Sequence, residues 1–261
     1  MKTNIYYFSG TGNSLFVAKK IKERIEDCDL ISIPSVIKNE SFTEEVMGIV
    51  CPIYMYNAPY VVVDFISRIK KADYIFFVFA GGGGPGTAFK VLTKTFNSRG
   101  LKLSALFSIT MPSNYTPFGA TPEDKEKELL GRIDTAVDDI VKTVKDRKIH
   151  IAKSNTSFFN SYIHPGLLYQ LGYKHIREMA KSFYTDDNCN GCSICQKVCP
   201  VKNIEMKDKK PVWNDKCQQC YACLQWCPNE SIQYCKKTAG IKRYHNPYIK
   251  VQEIINSSVP E

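Results

Sequence analysis

The chain has 261 residues, 44% of them hydrophobic, and a formal net charge of +9 at pH 7. That length gives one large or two smaller domains with ample core, and the longest apolar run, Tyr74 to Ala80, is far too short to span a bilayer. The N-terminus, MKTNIYYFSG, does not fit a signal peptide, and no basic run or nucleic-acid motif accompanies the positive charge, so a cytoplasmic, reducing and anaerobic setting without nucleic acid is expected.

Asn4 to Phe8 reads as a strand, Ser9-Gly10-Thr11-Gly12-Asn13-Ser14 as a turn, and the next segment as a helix with Leu15, Ala18, Ile21 and Ile25 on one face. A helix N-terminus offers unpaired N–H groups and a partial positive charge, so this context suits a phosphate. Gly10 and Gly12 would let the backbone approach it, and Ser9, Thr11, Asn13 and Ser14 add neutral donors. No lysine follows the glycines, which argues against a nucleoside triphosphate. An ordinary glycine turn with capping residues is the alternative.

Strands are then expected at Leu30 to Ile33, Val46 to Val50, Tyr74 to Ala80 and Leu101 to Thr110. Helices are expected at Pro59 to Lys70, from the Gly81–Gly86 stretch to Arg99, and within Pro122 to Lys148. Five strands alternating with helices predict an α/β fold, an open five-stranded parallel sheet with helices on both faces. Its ligand would sit at the carboxyl ends of the strands. Gly81, Gly83 and Gly86 match the dinucleotide fingerprint G-x-G-x-x-G. They follow the fourth strand rather than the first, however, and no acid lies between Gly86 and Glu123 to bind a ribose. Tyr162 to Tyr184 has helix-like spacing broken by Pro165-Gly166 and predicts short helices between domains.

Cys189, Cys192, Cys195 and Cys199 are spaced C-x2-C-x2-C-x3-C and followed by Pro200. The spacing recurs 28 residues later at Cys217, Cys220, Cys223 and Cys227, followed by Pro228, and the same offset maps Ile204 onto Ile232. Thiolates suit iron and sulfide. This run holds 4Fe-4S clusters in bacterial two-cluster ferredoxins, where the fourth cysteine of each run ligates the other cluster. One cluster is therefore assigned to Cys189, Cys192, Cys195 and Cys227, the other to Cys217, Cys220, Cys223 and Cys199. Zinc is the alternative, but it usually takes two separated C-x2-C pairs, often with histidine. Two clusters of about −2 each would bring the charge to about +5. Cys28, Cys51 and Cys235 lie outside the runs and read as small buried hydrophobes.

The phosphate loop resembles that of flavodoxins, which bind FMN. The order of a flavodoxin-like domain, a linker and a two-cluster ferredoxin is similar to the fused flavodoxin–ferredoxin family. Pro52-Ile53-Tyr54, Met111-Pro112-Ser113-Asn114-Tyr115, Pro211-Val212-Trp213 and Arg243-Tyr244-His245-Asn246-Pro247 also fit it. The resemblance implies a flavodoxin-like domain over 1–149, a helical connector over 150–184, a small α+β ferredoxin domain over 185–235 and a basic tail over 236–261. It implies that Pro52, Ile53, Tyr54 and Met55 and the glycines Gly81, Gly82 and Gly83 flank the isoalloxazine. Tyr54 would stack on the ring, and Asn114 and Tyr115 would close the site. The Tyr54 ring reads equally as a half-exposed interface tyrosine. FMN and two 4Fe-4S clusters together suggest an electron-transfer protein serving redox protein partners. A reductase acting on a small substrate near Tyr56, Tyr115 and Phe118, and a redox-sensing interaction module, are the rival readings.

Overall fold

The computed structural model describes residues 2–39, 41–151, 172–173 and 175–258. Most of the expected connector helices, with Pro165-Gly166, lie outside the described residues.

The N-terminal strands are β1 (Thr3–Tyr7), β2 (Cys28–Ser32), β3 (Phe42–Cys51), β4 (Ile69–Gly81), β5 (Ala105–Thr110) and β6 (His150–Ile151). All pair in parallel, in the order β2-β1-β3-β4-β5-β6. Its first five positions follow the flavodoxin-like order, which reverses direction between β1 and β3 and leaves a crevice there. The sixth strand departs from the five expected. Only two residues long, it pairs Ala105 with His150 and Leu106 with Ile151, and carries too little periodicity to be read from sequence.

The helices of this half are α1 (Asn13–Lys22), α2 (Ile33–Val36), α3 (Tyr60–Ser67), α4 (Ala88–Asn97), α5 (Glu123–Gly131) and α6 (Ile133–Lys145). Helix α3 stops three residues before the expected Lys70, because β4 begins at Ile69 and adds residues Ile69 to Asp73 to the predicted strand. The central strands are apolar along both faces, and Tyr74 to Ala80 are all buried. Such strands need cover on each side, which the flanking helices provide.

The cysteine-rich half holds two small antiparallel pairs. β7 (Phe183–Thr185) pairs with β10 (Ile232–Tyr234), and β8 (Ile204–Lys207) with β9 (Lys210–Trp213). Asp208 and Lys209 turn the second hairpin with φ of 48° and 60°, the double left-handed geometry that suits strand twist. Two one-turn helices, α7 (Ile194–Lys197) and α8 (Ala222–Gln225), repeat at the same 28-residue offset as the cysteines. The chain then returns to the first half and ends in α9 (Val251–Asn256).

One continuous apolar core joins the halves. Val198, Cys220, Ala222, Trp226, Ile249 and Ile254 belong to the cluster that contains the β-sheet core.

Candidate cofactor cavity and cysteine sets

A cavity of ≈ 390 Å3 opens at the carboxyl ends of the strands, within the range of ligand pockets. Ser9, Gly10, Thr11, Asn13, Ser14, Pro52, Ile53, Tyr54, Met55, Gly81, Gly82, Gly83, Asn114 and Tyr115 all line it. Gly12 does not. It takes φ +96° at the head of α1, and a Cβ there would lie 2.9 Å from the Asn246 Cβ and 3.0 Å from the Ile249 Cβ. Its missing side chain serves the returning tail.

The loop after β1 is built from its own hydrogen bonds. The Gly12 N–H donates to the Ser9 Oγ at 3.2 Å, and Asn114 Nδ2 donates to the Thr11 Oγ1 at 3.0 Å. The expected role of the Asn13 side chain changes. Its Nδ2 donates to the Pro112 carbonyl, and its Oδ1 accepts from Tyr244 Oη and Asn246 Nδ2. That amide ties three segments together and keeps one N–H of its two for a ligand. No side chain caps α1, so its first-turn N–H groups face the loop with their partial positive charge.

Tyr54 closes a two-residue turn with Asn57 through hydrogen bonds of 2.8 and 2.9 Å, with Met55 and Tyr56 left-handed at φ 48° and 60°. The Tyr54 ring stands at the cavity wall while its hydroxyl is buried without a hydrogen-bond partner among the described residues. Burial drives its phenol well above the ordinary range, and nearby Cys220, Cys51 and Cys217 add to the shift. Cys51 itself is fully buried, and burial likewise raises its thiol.

The sequence reading missed the other side of the cavity. Ile176, Met179, Gln219 and Tyr221 line it too. Gln219 and Tyr221 flank Cys220, so the second cysteine run forms a wall of the cavity. The Gly10 backbone touches the same loop: a Cβ on Gly10 would lie 2.6 Å from the Cys220 carbonyl oxygen. Trp226 Nε1 donates to the Gly10 carbonyl at 3.0 Å. Gln225 Nε2 donates to the Asn114 carbonyl and the Thr116 Oγ1, and Gln218 Oε1 accepts from the Val61 N–H at the start of α3. No sequence signal marks these residues, because their partners lie more than 100 positions away.

The eight run cysteines are free of disulfides and fall into two sets. Burial, with Cys227, Cys192 and Cys189 adding to it, pushes the Cys195 thiol up to about 12. Burial also raises Cys217 to about 11, with Cys199 adding to it, and raises Cys223 with contributions from Cys220, Cys217 and Cys199. Cys227 thus neighbours Cys195 of the first run, and Cys199 neighbours Cys217 and Cys223 of the second. Asn203 N–H donates to Cys199 Sγ at 3.1 Å and Gln219 N–H to Cys217 Sγ at 3.3 Å. Such bonds favour a coordinated thiolate and tune a cluster's potential. Among the described residues no three His, Cys, Asp or Glu side chains are placed to hold a single ion. The sets differ in exposure: Cys192 is exposed, whereas Cys199, Cys217, Cys220 and Cys223 are all buried.

Residues 181–228 match the family of the 4Fe-4S dicluster domain. No curated protein matches the chain. Among solved structures, a flavodoxin from the domain Archaea is 19% identical, with 56% of this chain and 99% of that one covered at a TM-score of 0.36. The flavodoxin of Streptococcus pneumoniae TIGR4 is 14% identical, covering 54% and 100% at 0.35. That of Megasphaera elsdenii is 17% identical, covering 52% and 98% at 0.34.

Proposed function

We propose that the chain is an electron-transfer flavo-iron–sulfur protein, relaying electrons between two 4Fe-4S clusters and a bound FMN. One observation carries this reading: the cavity at the strand ends is walled by the loop that bears Cys217, Cys220 and Cys223. The lining also suits FMN: the uncapped first turn of α1 offers unpaired N–H donors beside Thr11 and Ser14, and Tyr54, Tyr115 and Tyr221 bring aromatic rings to the cavity wall.

In this reading the uncapped start of α1, with Thr11 and Ser14, holds the phosphate. Pro52 to Met55, Gly81 to Gly83, Asn114 and Tyr115 border the ring. Ile176, Met179 and Tyr221 exclude water from it. Cys189, Cys192, Cys195 and Cys227 hold one cluster, and Cys217, Cys220, Cys223 and Cys199 the other. The bound groups supply the redox chemistry, and the protein binds, orients and tunes them. The fusion keeps the cofactor sites at high effective concentration. The exposed Cys192 makes the first set the face presented to a redox protein partner.

A second reading, reduction of a small substrate, is favoured by the cavity rim. Met55 and Phe118 line the cavity yet are 37% and 89% exposed, leaving apolar surface beside the ring open to an acceptor.

Anaerobically purified protein tests the proposal. It should carry about eight iron and eight sulfide per chain and one FMN. Stoichiometric zinc without sulfide would end the cluster reading, and a chain that takes up no FMN would end the flavin reading. Turnover with a small acceptor in the absence of any protein partner would favour the reductase.

A further inference from the structure

Ser231 stands four positions after Cys227 and is 1% exposed. Its hydroxyl lies 3.3 Å from Cys227 Sγ. Between a thiol and an alcohol either group could donate, but a coordinated thiolate only accepts, so in the loaded protein the proton belongs to the serine. The Ser231 carbonyl accepts from the Asp186 N–H at 3.0 Å. Arg243 Nη2 donates to the carbonyls on either side, those of Glu230 and Ile232, at 3.2 and 3.0 Å. The hydroxyl therefore meets the sulfur from a backbone held at three successive residues.

The sister run forms the same turn without this hydroxyl. The 28-residue offset maps Cys227 onto Cys199, Glu230 onto Lys202 and Ser231 onto Asn203. Glu230 N–H donates to the Cys227 carbonyl and Lys202 N–H to the Cys199 carbonyl, each at 3.1 Å, and both residues are left-handed at φ 48°. The side chains that follow are used differently. Asn203 reaches Cys199 Sγ through its main-chain N–H, while its Oδ1 accepts from the Lys216 N–H. Ser231 brings a side-chain donor to the sulfur. Since the backbone repeats and the hydroxyl does not, the hydroxyl is not a requirement of the turn.

We infer that the Ser231 hydroxyl donates to the Cys227 sulfur of the first cluster and raises that cluster's reduction potential, with Arg243 as the residue that positions it. The inference rests on the proposed cluster reading and on the crossed assignment of Cys227. Reduction by an external low-potential donor adds one electron to the cluster, and its sulfurs become more negative. An O–H dipole directed at one of them stabilises the added charge, so the reduced state gains more from the bond than the oxidised state. Ser231 is buried and Cys227 half-buried, a setting in which a hydrogen bond is stronger than in water. The Arg243 charge lies within reach of Cys227, and Glu230 and Asp186 nearby offset part of it. The exposed Cys192 belongs to this same set, so the hydroxyl sets the electron affinity of the cluster presented to a partner.

The test compares the wild-type holoprotein with Ser231→Ala, which removes the hydroxyl, and Ser231→Thr, which keeps it. Iron and FMN content are measured first. Potentials are then read by anaerobic titration followed by electron paramagnetic resonance, with the signal altered in Cys192→Ser marking the first cluster. Ser231→Ala should make the first cluster roughly tenfold harder to reduce, a lowering of about 59 mV for a one-electron couple, while the second cluster keeps its potential. Ser231→Thr should stay at the wild-type value, which a serine needed only for packing would not predict. Electron–nuclear double resonance of the reduced protein in light and heavy water should show an exchangeable proton on the first cluster in wild type and Ser231→Thr that Ser231→Ala lacks. Should Ser231→Ala lose iron, absence of that proton from the other two proteins would overturn the inference. An unchanged first-cluster potential in Ser231→Ala with iron retained, or a shift confined to the second cluster, would also overturn it and leave two clusters standing. A wild-type chain without 4Fe-4S clusters would overturn both readings.

Discussion

At Gly10 the two halves approach closely. Its backbone lies against Cys220, where a Cβ would sit 2.6 Å from the carbonyl oxygen and 2.8 Å from the Cβ. Both are atoms of a buried loop between Cys217 and Cys223, so neither gives way easily. Gly10→Ala should therefore overpack the interface and lower stability by about 1–3 kcal/mol, measured by denaturant unfolding of the anaerobic holoprotein. Unchanged stability would mean that the loops are farther apart than described. The glycines of this turn were legible as sites of close approach, but their neighbours were not. Strand, turn and helix periodicity describes a loop's own backbone. It cannot show that the second run of cysteines, more than 200 positions on, is what the loop meets.

The Arg243–Pro247 segment had no physical account at the level of sequence, and the structure provides one. Arg243 donates to the carbonyls of Glu230, Ile232 and Thr238, which fixes the segment on the cysteine-rich half. His245 stacks on Trp226 at 4.0 Å. Tyr244 and Asn246 then reach the Asn13 Oδ1, and the Asn246 N–H donates to the Thr11 carbonyl at 2.8 Å. Further on, Tyr248 stacks on Phe16, Glu253 pairs with Lys19, and the Ser32 hydroxyl donates to the Ser257 carbonyl, laying α9 along the first domain. Asn246 is wholly buried, so Asn246→Ala should cost about 1–3 kcal/mol by leaving buried polar groups unpaired. Because the Asn246 amide also holds Asn13 of the cavity loop, the variant should bind FMN more weakly while iron content stays at the wild-type level. Denaturant melts and FMN titration read the two effects, and intact FMN affinity in the variant would confine the segment to a structural role. Such pairings cross 231 and 233 residues, a range over which local pattern carries no information.

Across the whole molecule, the cysteine repeat is symmetric in spacing and asymmetric in surroundings. Spacing is what assigns the two sets, because coordination chemistry is local to each run and the crossing of the fourth ligand is the expectation for this type of module. It could not show which set faces the cavity, since that depends on how the halves dock. The structure puts Cys220 in the core shared with the β-sheet, buries Cys199, Cys217 and Cys223 beside Cys195 in the core of the cysteine-rich half, and leaves Cys192 exposed. Cys220→Ser should therefore slow flavin reduction by an external low-potential donor roughly tenfold or more, equivalent to about 1.4 kcal/mol on the limiting barrier. Cys192→Ser should disturb the outer cluster, and Cys227→Ser should share its spectral phenotype, because Cys227 neighbours Cys195 rather than the cysteines of its own run. Rapid-mixing kinetics at the flavin absorbance, with iron content and cluster spectra measured on the same samples, separate these outcomes. A Cys227→Ser spectrum like that of Cys220→Ser would refute the crossed assignment. Wild-type flavin reduction rates in both Cys192→Ser and Cys220→Ser would take the clusters off the route to the flavin, and the redox-sensing reading would replace the relay.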